Sequence, residues 1–152
     1  HNSSFMESLI PMRSLALHGR LTGNPQSQAV AQQAAAVFLS RRLYLRRREG
    51  TPIDPHFLLL HYPCYWHYDI LFGLTVIAEA GLINDPRCRD ALDLLESKRL
   101  PDGGFPAEGR YYTSADAASG RSTVDWGGVN RRRMNPFVTV EALYVLREAG
   151  RI

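Results

Sequence analysis

Cysteine is scarce in this chain: Cys64 and Cys88 are its only two, and they form no disulfide framework. A reducing, cytoplasmic setting is therefore expected. Lysine is scarcer still, with Lys98 alone among 18 basic residues, and the net charge of +3 is a mild excess rather than a clustered basic face. That balance excludes nucleic acid as an expected partner. Nowhere does the chain approach the roughly 18 consecutive apolar residues of a membrane-crossing helix, so no membrane span is expected. What remains is 152 residues, 45% of them hydrophobic, enough for one soluble domain with an ordinary core.

One apolar register is present three times, over residues 3–19, 66–81 and 135–150, each copy ending in glycine. Aligned on Gly19, Gly81 and Gly150, the copies bring together Leu9, Leu71 and Val140, then Met12, Leu74 and Leu143, then Leu15, Ile77 and Leu146. This is the spacing of a buried helical stripe, and the glycines supply the left-handed residue that closes a helix. Recurrence at this scale implies repeats that bury their apolar faces against one another.

A second kind of helix lies between the copies, over residues 24–43 and 85–100. Asn24 and Asp85 are natural N-caps, and Pro25 and Pro86 occupy the first helical position, where a missing amide hydrogen costs nothing. The expected buried stripes are Val30, Ala34, Val37 and Phe38 in the first, and Cys88, Ala91, Leu92 and Leu95 in the second. Residues 70–78, in contrast, contain one side chain that is neither apolar nor glycine, Thr75, so that helix is expected to be enclosed by protein. The expectation is an all-α fold of about five helices in two-layer hairpins, an inner apolar row and an outer amphipathic one, as in a partial α/α toroid.

At this point the chain resembles the superfamily of terpenoid cyclases (squalene cyclase-like) and protein prenyltransferases. The segment ESKRLPDGGF, residues 96–105, stands where that superfamily's QxxDGxW motif closes an outer helix, and NPFVTVEALYVL opens the next inner helix. Asp102, Gly103 and Phe105 follow the motif, with Phe in place of Trp, while Arg99 takes the Gln position. The resemblance implies that residues 1–152 are a single toroid-like repeat domain, the C-terminal part of a longer protein, whose N-terminal helix is covered by the rest of its own chain or by a second copy. It further implies an isoprenoid-type ligand, bound or transformed in a central cavity. The superfamily's protonating DxDD motif is absent, so that cyclase activity is not carried over.

Two long connections, residues 46–65 and 106–134, leave the same end of the layer and hold most of the chemistry-bearing residues. Arg131, Arg132 and Arg133 precede a helix start, where free amides and the helix dipole favour an anion, although a solvated run before an N-cap has the same composition. Trp126 and Trp66 are candidate ligand-binding residues beside them, and the TSADAASG stretch favours partial disorder. His61, Cys64 and His67 have donor chemistry suited to zinc but lack a complete ligand set. Matching Cys64 to the prenyltransferase zinc cysteine puts Tyr62 at the Asp position and Val138 at the His position, so no metal and no cofactor is expected. Glu7 and Asp69 share a register position and Glu141 lies one turn further on, so burial could turn such acids into proton donors near neutrality. Acids near a helix start are also favoured by the dipole alone.

Asp69, His67 and Tyr68 are thus the candidate catalytic residues, and Trp66, Trp126, Arg131, Arg132, Arg133 and Glu141 the candidate ligand contacts for a hydrophobic or anionic small molecule. Two alternatives stay open: a non-catalytic helical-repeat scaffold that binds protein, and a polysaccharide lyase-like toroid using a Tyr and His pair beside an Arg or Asn. A deep apolar lumen points to the isoprenoid reading, an open arginine-lined cleft to the lyase, and an apolar surface patch to the scaffold.

Overall fold

The computed structural model describes residues 5–113, 120 and 122–152. The stretch expected to be partly disordered falls largely on residues 114–119, outside the described residues. Five α-helices make up the fold: α1 Phe5–Thr22, α2 Pro25–Leu39, α3 Ile70–Glu79, α4 Arg89–Glu96 and α5 Pro136–Glu148. Among the described residues β-structure is confined to isolated bridges, and the fold is all-α.

Capping explains where most helices begin. The Asn24 side chain accepts the Ser27 amide at the start of α2, and the Asp85 side chain accepts the Arg87 amide at a 3₁₀ turn, Pro86–Cys88, that leads into α4. Asp69 and Asn135 do the same for α3 and α5. Each cap satisfies amides that the helix itself leaves without a partner.

Packing follows the expected hairpins. α1 lies against α2, α3 against α4, and α3 is flanked by both α1 and α5. Of the residues in α3, only Phe72 and Glu79 escape burial. The other two inner helices are not enclosed: Ile10, Leu17 and Leu21 of α1 are exposed, and Val140 of α5 is 68% exposed. The reason is position, since α3 has a helix on either flank whereas α1 and α5 each turn one flank to solvent.

Three details correct the register read from the sequence. α1 continues through Gly19 to Thr22, and the left-handed residue that follows is Gly23, with φ of 68°. Gly19 is instead a contact residue: a Cβ there would come within 2.6 Å of Gln28 Cγ on α2, whose side-chain amide donates to the Gly19 carbonyl. In α2 the buried residues are Ala31, Ala35, Phe38 and Leu39, one position round the helix from the expected stripe, and Val30 and Val37 face solvent. α5 buries Val138, Ala142, Val145 and Leu146, leaving Val140 on the opposite side. The stripe of α4, by contrast, is buried as read.

The two long connections meet. The Lys98 ammonium and the Leu60 amide both donate to Glu108 Oε2, at 2.6 and 3.0 Å, and the Glu108 amide donates to the Leu60 carbonyl. Beyond the DGG turn, Phe105 is fully buried, and its backbone is held by Thr139 and Asn135 at the start of α5.

Candidate functional site

Asp69 is completely buried and both its oxygens are engaged: Oδ1 accepts the Phe72 amide and Oδ2 the His61 amide, each at 2.8 Å. It closes the first turn of α3 and pins the preceding connection to it. His61 is also buried, its Nδ1 lying 3.4 Å from Asp69 Oδ2 without a hydrogen-bond partner. The Tyr111 ring, from the second connection, stacks on both His61 and His67, with centroids 4.2 and 3.7 Å away. Burial pushes the Tyr111 hydroxyl and the Cys64 thiol well above their usual ranges, with the Asp69 charge adding to both shifts. Both effects favour the protonated thiol at Cys64.

Tyr68 belongs to the core. Its hydroxyl donates to the Leu43 carbonyl at 2.8 Å, and its ring sits edge-on to Phe5 and Phe57. Trp66 lies elsewhere, 72% exposed, lining a groove on the open flank of α1. Trp126 makes an aromatic cluster with Tyr62 and Phe137 over the start of α5, its indole N–H donating to Ser122.

Arg131, Arg132 and Arg133 occupy an exposed turn before α5. The Asn135 side chain already accepts the Phe137 and Val138 amides, so those helix-start donors are taken.

Glu141 is the acid that stands out. Of the acids on that flank, Glu7 is exposed and Asp69 is committed to capping, whereas Glu141 is half-buried on α5, within electrostatic reach of Asp69 and Glu79 on α3 and Arg13 on α1. Burial, reinforced by the Asp69 and Glu79 charges and opposed by Arg13, pushes its carboxyl up to about 7. Arg13 belongs to α1 and grips Glu79 of α3 with two hydrogen bonds of 2.6 Å, its guanidinium 5.7 Å from the centre of the Phe72 ring. Tyr62 is near enough for the Glu141 charge to raise its hydroxyl further, after burial. The Glu141 carboxyl therefore lies within electrostatic reach of the Arg13–Glu79 ion pair and of the Tyr62 hydroxyl, with the Phe72 ring beside the Arg13 guanidinium. Arg13 and Glu79 carry no spacing signal in the sequence; an acid ending an otherwise apolar helix is the only hint of them.

Comparison with known proteins returns no match. Neither a family model, nor a curated protein, nor a solved structure resembles this chain.

Two open clefts adjoin on this side and share Arg20 and Glu79. One, of about 450 Å³, is lined by Ala16, Gln28, Ala31 and Tyr144, and the other, of about 230 Å³, by Arg13, Ser14 and Leu17. Both are mixed in polarity, unlike the apolar lumen that the isoprenoid reading calls for. Among the described residues no three His, Cys, Asp or Glu side chains are grouped to hold a metal ion, and no helix is long and apolar enough to cross a membrane.

Glu141 makes stability depend on pH in a definite direction. Its folded-state value, about 7, lies above the ordinary 4.5, so the native state holds the proton more tightly and loses stability as pH rises through this window. Glu141→Gln is expected to be more stable than wild type at pH 8, by roughly 1–3 kcal/mol, with the difference vanishing below about pH 4.5. Urea unfolding of both proteins across that range measures it; a constant difference at every pH excludes the assignment.

Proposed function

We propose that the α1–α3–α5 side binds an isoprenoid-type ligand along its open clefts rather than in an enclosed apolar lumen, and that Glu141 is its proton donor. The observation that carries this reading is the half-buried Glu141 carboxyl, pushed up to about 7 and within electrostatic reach of Tyr62. A general acid works best when its pKa is close to the working pH. Phe72 and Tyr62 offer apolar and π surface to the hydrocarbon, the Arg13–Glu79 pair holds α1 and α3 together beneath it, and Arg131, Arg132 and Arg133 attract an anionic head. Asp69, with His61 behind it, keeps the start of α3 rigid and adds to the field that holds the Glu141 proton. His67 and Tyr68 support the same corner through Tyr111 and Leu43.

The test is titration with a prenyl diphosphate, followed by Trp126 fluorescence and product analysis. Wild type is expected to bind and turn over, and Glu141→Gln to bind with turnover reduced about 100-fold or more, the usual weight of a general acid. Binding of an acidic oligosaccharide instead, or of neither ligand, overturns the reading.

A non-catalytic scaffold is the second reading, favoured by the exposed apolar residues Ile10, Leu17 and Leu21 of α1, Trp66, and Val140 of α5. Exposed apolar surface of this kind marks protein contacts. Retention of a protein partner by Glu141→Gln, with no prenyl diphosphate bound by wild type, is its signature.

A further inference from the structure

The inner row has two open ends, and they differ in charge. On the free flank of α1, Met6, Ile10, Pro11, Tyr65 and Trp66 line an apolar groove of about 760 Å³ whose one formal charge is Glu7. On the free flank of α5, Val140, Leu143, Tyr144 and Ile152 line a second, of about 570 Å³, whose one formal charge is Arg147. α3 shows what such a flank does when it finds a neighbour, because the same kind of helix is buried on both sides by α1 and α5.

We infer that the α5 flank of one copy of this chain docks on the α1 flank of a second copy, extending the row of inner helices from molecule to molecule. Two observations select this occupant. First, the internal joint between α1 and α3 already combines an apolar seam with a cross-helix acid–arginine pair, Arg13 to Glu79, and the two free flanks carry the same combination divided between them. Second, the charges favour unlike flanks: α5 on α1 brings Arg147 and Glu7 into one interface, whereas α1 on α1 sets two acids together and α5 on α5 two arginines. Arg147 pairs with its sequence neighbour Glu148 at 68% and 39% side-chain exposure, too solvated to hold it back, and lies over the Tyr144 ring at 5.7 Å, within the same flank. A contact between unlike surfaces is heterologous, so it closes into a ring or grows into a filament according to the rotation between copies. The inference is independent of what the α1–α3–α5 face binds.

Sedimentation over a concentration series tests it. Wild type is expected to associate progressively with concentration. Ile10→Asp and Val140→Asp, both at exposed positions, are each expected to be monomeric alone, and a mixture of the two to form a discrete 1:1 complex, since each retains the flank that the other has lost. Circular dichroism checks that both variants are folded; should either fail, the charge pair replaces them. In that version Glu7→Arg and Arg147→Glu each weaken association and their mixture recovers it. Wild type that stays monomeric at every concentration, or loss of association from one flank's variant alone, overturns the proposal.

Discussion

Gly73→Ala is expected to destabilise the protein severely even though alanine is the better helix former. A Cβ at position 73 would lie 2.1 Å from the Tyr68 hydroxyl and 2.8 Å from its Cζ. Tyr68 has no room to retreat, because its hydroxyl is bound to the Leu43 carbonyl and its ring is wedged between Phe5 and Phe57. Crowding a packed core costs about 1–3 kcal/mol, and breaking a buried hydrogen bond roughly as much again. The gain in helix propensity, about 0.5–1 kcal/mol, does not offset this. The net loss is therefore about 3 kcal/mol, a fall in Tm of roughly 6–12 °C for a chain of this size. Thermal unfolding measures it, and Tyr68→Phe in the Gly73→Ala background should recover part of the loss by removing the closest atom. An alanine variant as stable as wild type would show that Tyr68 does not sit against Gly73.

Phe105→Ala carries the other large effect. The side chain is fully buried between the end of α4 and the start of α5, and truncating such a phenylalanine costs about 3–5 kcal/mol. The loss should reach beyond the cavity. The Phe105 carbonyl accepts the Asn135 amide, and its amide donates to Thr139, so this residue ties the DGG turn to the cap of α5. Hydrogen exchange is expected to show α5 amides losing protection more than those of α1 and α2. Uniform loss across all five helices would instead mean that Phe105 contributes only to the common core.

The two effects have different visibility in the sequence. Gly73 is one small residue in an apolar helix, and its spacing suggests close helix contact without saying that the contact is a tyrosine hydroxyl five residues earlier. Phe105 is legible, since its place two residues beyond the DG of a turn, after an amphipathic helix, marks it as an anchor.

The same division runs through the candidate site. Glu141 could be singled out because it sits in an inner helix among apolar residues, but Glu7 and Asp69 could be singled out on the same grounds. Their surroundings separate them: one is solvated, one is consumed by helix capping, and one is half-buried on α5 within reach of charges from α1 and α3. Arg13, which faces Glu141 and Glu79, gives no periodic sign of itself.

By itself the sequence determined the helices, their caps and their pairing into hairpins, because those follow from local periodicity, from Asn or Asp before Pro, and from short-range hydrogen bonds. Tertiary structure decided which side of each helix is covered. A helical stripe can rotate by one residue, as α2 does, or leave Val140 outside, as α5 does, at little local cost, since only the neighbouring helix distinguishes the choices. It also pushed the Glu141 carboxyl upward, because that shift depends on burial and on charges brought in from α1 and α3, far away along the chain.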